Sequence, residues 1–132
     1  QVKIVAFILD AEGGRLAETM QCIKRQTVPA AEVHCVHGRK EIEIIAEKMG
    51  EGTWFSIIET PFRMYADHFE TMAGAVTEGC EVLGSIDSCG QLPEDIGYYI
   101  FSKDFYKKYK DENLDELCKR KAVRIEKQTI CG

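Results

Sequence analysis

This chain of 132 residues contains no apolar run approaching the ~18–20 residues that a membrane-spanning helix needs. It also opens without a signal-peptide pattern, and Gln1 in first position reads as a trimmed start. Positive charge is in short supply: 17 Lys and Arg stand against 22 Asp and Glu, a formal net charge of −5. That balance removes the electrostatic reason to expect nucleic acid or an anionic membrane as partner. A small anion stays open, because a metal ion or a helix N-terminus binds phosphate on an acidic protein as well. The six cysteines (Cys22, Cys35, Cys80, Cys89, Cys118 and Cys131) form no C-x-x-C pair and have no zinc-like companions at short spacing. Most lie in apolar patterns, so they read as thiols packed like small hydrophobes in a reducing, cytoplasmic setting. With three prolines, no internal repeat, no low-complexity tract and no linker, the chain reads as one domain.

What is present is an ordinary globular composition, 45% hydrophobic and 30% charged, arranged in alternating patterns. Residues 2–9 read as a buried strand ended by Asp10-Ala11-Glu12-Gly13-Gly14. Leu16, Met20 and Ile23 then mark one face of a helix over about 15–26. A second strand over 33–36 ends at His37-Gly38. Ile42, Ile45, Ala46 and Met49 give a second helix, and 54–58 a third strand followed by Pro61. Tyr65, Phe69, Met72, Ala73 and Val76 mark a third helix, and a fourth strand over 82–87 ends on Asp87. Three strand–helix repeats predict a mostly parallel α/β sheet with helices on both faces. Beyond it the spacing predicts a short helical start at 92–95, a strand over 98–101, helices over 103–109 and 114–121, and an edge strand over 122–125.

Ligands of open α/β sheets bind outside the carboxyl ends of the strands, which singles out Asp87. It reads either as a strand-ending turn acid or as a ligand for a metal or a hydroxyl. Asp10 reads as a helix cap or a nucleotide contact, His37 as a surface histidine or a base contact. Gly13-Gly14 reads as a turn or a phosphate approach, and Arg63 as a solvated arginine or a pyrophosphate contact. Asp95 reads as stabilising a helix start, and the lysine clusters at 107–110 and 119–121 as solvated faces.

Arg15-Leu16-Ala17-Glu18-Thr19-Met20-Gln21-Cys22-Ile23-Lys24-Arg25-Gln26-Thr27-Val28-Pro29, followed by Glu32-Val33-His34-Cys35-Val36, resembles the opening of family-two glycosyltransferases. The likeness continues through Gly84-Ser85-Ile86-Asp87-Ser88-Cys89 with Leu92-Pro93, then Gly97 to Phe105, then Leu114 to Arg120. The resemblance implies a GT-A fold: a Rossmann-like sheet over 1–90 binding a nucleotide-diphosphate sugar, and a reduced acceptor half over 91–132. It further implies hexosyl transfer to an acceptor hydroxyl, with Mn²⁺ or Mg²⁺ on Asp87. Asp10, Glu12, His37, Arg63 and Asp87 would surround the donor, in a groove shared with the tips of the first two strands. Asp115 and Glu116 would be the candidate bases. The chain departs from that pattern at Cys89, which replaces the second acid of the D-x-D motif, and at His37-Gly38, which replaces an acid pair. Glu70-Thr71-Met72-Ala73 departs from the R-N-x-G element. Cys89 is a soft ligand for a hard cation, which favours a non-catalytic nucleotide-sugar-binding module as the second reading. Ile8 to Leu16 faintly resembles a sugar nucleotidyltransferase loop, a third reading.

Overall fold

The apolar run at the start forms β1 (Lys3–Leu9), whose residues alternate between two buried faces. The structure is a computed structural model and describes residues 2–10 and 15–131. The chain continues through α1 (Leu16–Lys24), β2 (Glu32–Val36), α2 (Arg39–Glu47), β3 (Thr53–Glu59), α3 (His68–Gly74) and β4 (Val82–Ser85). A single 3-10 turn (Ile96–Tyr98) leads into β5 (Tyr99–Ser102), α4 (Lys103–Tyr109), α5 (Leu114–Lys121) and β6 (Val123–Ile125). The six strands form one sheet in the order β2-β1-β3-β5-β4-β6. All are parallel except β5, which runs antiparallel to β3 and β4. An α/β sheet, mostly parallel and covered on both faces, is what the alternating patterns predict.

Each face has its own core. Val5, Phe7, Phe55, Ile57, Tyr99 and Phe101 point to the layer made by α2, α4 and α5. Ile4, Ala6, Ile8, Trp54, Ile58 and Ile100 point to the layer made by α1, α3 and the carboxyl-terminal segment. The period of two along a strand, with both faces apolar, is why these runs read as continuous hydrophobic stretches. Strand β4 carries a glycine for a steric reason. A Cβ on Gly84 would lie 2.7 Å from Tyr99 Cε1 and 2.8 Å from Leu92 Cδ2.

Several expected boundaries shift. Residues 92–95 form a bend, and the helical turn begins one residue later, where Asp95 caps it by accepting the Gly97 N–H at 2.8 Å. Strand β4 stops at Ser85, so Asp87 lies in the turn beyond it. The thiols are less buried than expected. Only Cys118 is fully buried, which pushes its pKa up to about 12, while Cys35 and Cys89 are exposed and the other three are half-buried.

The segment running through α1 to Gln26 has a packing role. The Gln26 side chain donates to the carbonyls of Cys22 and Tyr65 and accepts the Phe69 N–H at 2.9 Å. Thr19, fully buried, accepts the Phe62 N–H at 3.0 Å. These bonds satisfy backbone groups of the 62–69 connection that have no strand or helix partner.

Candidate functional site

Strands β2, β1 and β3 end flush. Leu9 pairs in register with Val36 on one side and with Glu59 on the other. The next residues continue the alignment, with the Asp10 N–H donating to Val36 O at 3.3 Å and the Thr60 N–H to Leu9 O at 3.0 Å. Chain connections leave β1 toward β2 in one direction and reach β3 in the other. The β1/β3 boundary is therefore a topological switch point, where α/β sheets open a crevice at the carboxyl rim. Asp10, His37 and Glu59 are exposed there. Beyond β3 the sheet splays. Only Trp54 and Phe55 pair with β5, and the 3-10 turn fills the wedge with Phe62 against Gly97.

Helices α2 and α5 bring charge to this rim. Arg39, the first residue of α2, donates to both carboxylate oxygens of Asp115, at 2.8 and 3.1 Å. Burial alone would lower the Arg39 pKa. The Asp115 hydrogen bond, then the Asp115 and Glu59 charges, outweigh that and raise it. Partial burial raises the Asp95 carboxyl, the Gly97 N–H opposes the rise, and the Asp115 charge adds to it. Asn113 caps α5, its side-chain oxygen accepting the Glu116 N–H at 3.3 Å while its amide donates to Glu116 Oε2 at 3.4 Å. A cleft of about 640 Å³ opens beside this cluster, lined by Glu94, Asn113, Asp115, Glu116, Lys119 and Arg120.

The expected site residues thus separate into groups. Asp10 and His37 lie side by side at the tips of β1 and β2, and both acids proposed as bases line the cleft next to Arg39. Asp87 sits on the same rim, but not in the groove expected for it. Strands β3 and β5 intervene between β1 and β4, a separation of about 14 Å across three strand spacings. Its Oδ1 accepts the N–H groups of Cys89 and Gln91, both at 2.9 Å, so it shapes its own turn. Arg63 is exposed and paired with Glu18 at 2.9 Å. Glu12, with Gly13-Gly14, lies outside the described residues. The third strand expected over 54–58 stops one residue short of Glu59, and no motif in the sequence singles out Arg39. The visible signal was position at the rim: Glu59 is the last residue of β3, and Arg39 the first of α2, three residues beyond β2.

A resident divalent cation does not fit this arrangement. Among the described residues no group of three or more His, Cys, Asp or Glu side chains can hold an ion. Asp87 offers one oxygen without a protein donor, and its neighbour Cys89 is soft. Among the described residues, no helix is long and apolar enough to cross a membrane. No protein-family model matches this chain, and no curated protein matches it closely enough to be counted a relative.

Proposed function

We propose that this protein binds a nucleotide-diphosphate sugar along the carboxyl rim and transfers the sugar to an acceptor hydroxyl, as a GT-A-like glycosyltransferase. The observation that carries this reading is the flush end of β2, β1 and β3 at the switch point, joined through the Arg39–Asp115 pair to a cleft lined by charged residues of both signs. Asp10, His37 and Glu59 offer acceptors to the N–H and hydroxyl groups of a nucleoside. The acceptor molecule occupies the cleft of α5. In the transfer, the acceptor oxygen bonds to the anomeric carbon as the carbon–oxygen bond to the diphosphate breaks. The acceptor proton passes to a carboxylate. Glu116 is the better placed of the two acids, because both oxygens of Asp115 are held by Arg39. A cation enters only as the counter-ion of the diphosphate, and no step depends on it.

The second reading, a nucleotide-sugar-binding module without turnover, draws its support from the sparse cation ligands around Asp87. Calorimetry with a panel of UDP- and GDP-sugars, followed by chromatography of the incubated donor, tests both. Binding with slow donor hydrolysis that Glu116→Gln lowers at least tenfold supports the transferase. Binding with an intact donor after long incubation supports the module. Failure of every donor to bind, with and without Mn²⁺, removes both.

A further inference from the structure

On the opposite side of the same rim lies a second charge cluster. Arg15 immediately precedes α1, and Arg63 lies four residues beyond the tip of β3. Both pair with one carboxylate: Arg15 with Glu18 Oε2 at 2.7 Å, and Arg63 with Glu18 Oε1 at 2.9 Å. The arrangement is fixed from below, because the buried Thr19 hydroxyl binds the Phe62 N–H and the Arg63 carbonyl accepts the Cys131 N–H at 3.0 Å. Above it the guanidinium groups are open to solvent, with 56% and 62% of their side chains exposed. Two guanidinium groups share one carboxylate, leaving one positive charge uncompensated on a chain whose net charge is −5. The first turn of α1 adds its positive end, and its capping residue supplies no side-chain acceptor.

We infer that Arg15 and Arg63 form a binding site for a diphosphate group, in which Glu18 occupies the place of the ligand until the anion arrives. Each Glu18 oxygen takes one arginine, the pattern that two oxygens of a phosphate adopt with a pair of guanidinium forks. A diphosphate has more charge and more oxygens than a carboxylate and so outcompetes it. The two segments carrying the arginines leave the sheet at β1 and β3, on either side of the switch point. The inference rests on the nucleotide-sugar reading for its biological ligand. Diphosphate binding itself does not depend on that reading.

Titration of the whole chain with inorganic pyrophosphate, followed by calorimetry, tests it. The unsubstituted protein binds, more weakly as NaCl is raised. Arg15→Gln and Arg63→Gln each weaken binding by about tenfold, the scale of one charged hydrogen bond. Glu18→Gln strengthens it severalfold, because an internal competitor has gone. Lys24→Gln, on the same helix but outside the cluster, leaves it unchanged. Circular dichroism melts confirm folding, and the two exposed arginine variants decide the matter even if Glu18→Gln is unstable. No pyrophosphate binding, equal affinity in Arg63→Gln, or unaltered affinity in a folded Glu18→Gln overturns the inference. Pyrophosphate binding of this pattern, with no donor of the UDP- and GDP-sugar panel bound, sustains the site and removes the glycosyltransferase reading. UDP-glucose binding indifferent to both arginine substitutions does the reverse.

Discussion

At the scale of single residues, the most consequential polar group is buried on the face opposite α5. His68, Thr129 and Ser85 are all fully buried and joined in series, with His68 Nδ1 and Ser85 Oγ each 2.7 Å from Thr129 Oγ1. Counting protons fixes the tautomer. The Ser85 hydroxyl donates to the Lys127 carbonyl, so the Thr129 hydroxyl donates to Ser85, and His68 Nδ1–H donates to Thr129. His68 Nε2 then has no partner, and a proton added there would be buried without an acceptor. Burial lowers the His68 pKa to about 4, with the Asp67 charge opposing the shift. Because the folded value lies below the unfolded value of 6.5, the unfolded chain takes up the proton first. Stability is therefore complete above pH 6.5 and declines as the pH falls to about 4, by about 3 kcal/mol in total. Urea midpoints at pH 7.5 and 4.5 check this. His68→Asn, which retains a donor to Thr129 but does not titrate, should flatten the difference. Gly84 carries the second prediction at this scale. Alanine there must displace the Tyr99 ring, which the Tyr99 hydroxyl anchors to the Pro93 carbonyl. Gly84→Ala should cost about 1–3 kcal/mol in chemical denaturation. A neutral result would mean that the ring moves freely.

At the scale of elements, the segment after β3 depends on α1 more than on its own conformation. Gln26→Ala removes a donor to the Tyr65 carbonyl and the acceptor of the buried Phe69 N–H. The Tyr65 carbonyl keeps the His68 N–H at 3.1 Å, so the cost falls on the unsatisfied Phe69 N–H, about 1–3 kcal/mol. Hydrogen exchange at Phe69 should accelerate in this variant, while exchange in the centre of β1 follows only the global loss. Unchanged protection at Phe69 would show that water or another group replaces the glutamine. This element also shows what the sequence made visible. Apolar spacing located α1, but the part Gln26 plays was hidden, since its partners lie 39 and 43 residues away. The same limit applies at α5. The acids of its first turn were legible as candidates, whereas the Arg39–Asp115 pairing joins residues 76 apart.

At the scale of the whole molecule, the carboxyl-terminal segment completes one core. Ile130 is buried against the α1–α3 layer and bridges to Met64, and Thr129 joins the buried polar chain described above. Lys127 adds an ion pair with Asp67 at the start of α3. Removal of residues 127–131 should therefore leave Ser85 and His68 without partners and lower the thermal midpoint by ten degrees or more, on the scale of several kcal/mol. A truncated chain melting with the intact midpoint would refute the view that this segment belongs to the fold. The order of the strands is decided at this scale too. Antiparallel β5 enters between β3 and β4, and its insertion moves Asp87 away from the crevice at β1.

The sequence by itself determined the class of the molecule: strand–helix alternation, two apolar faces, and a set of polar residues that follow each strand. These are local properties, written in spacings of two and of three to four residues, so a short window holds all the information. Only the tertiary structure decided which strands are neighbours, that Glu59 and Arg39 join the rim, and that Glu18 bridges two arginines. Those outcomes depend on which faces of distant segments bury one another, and no spacing within a single segment encodes that choice.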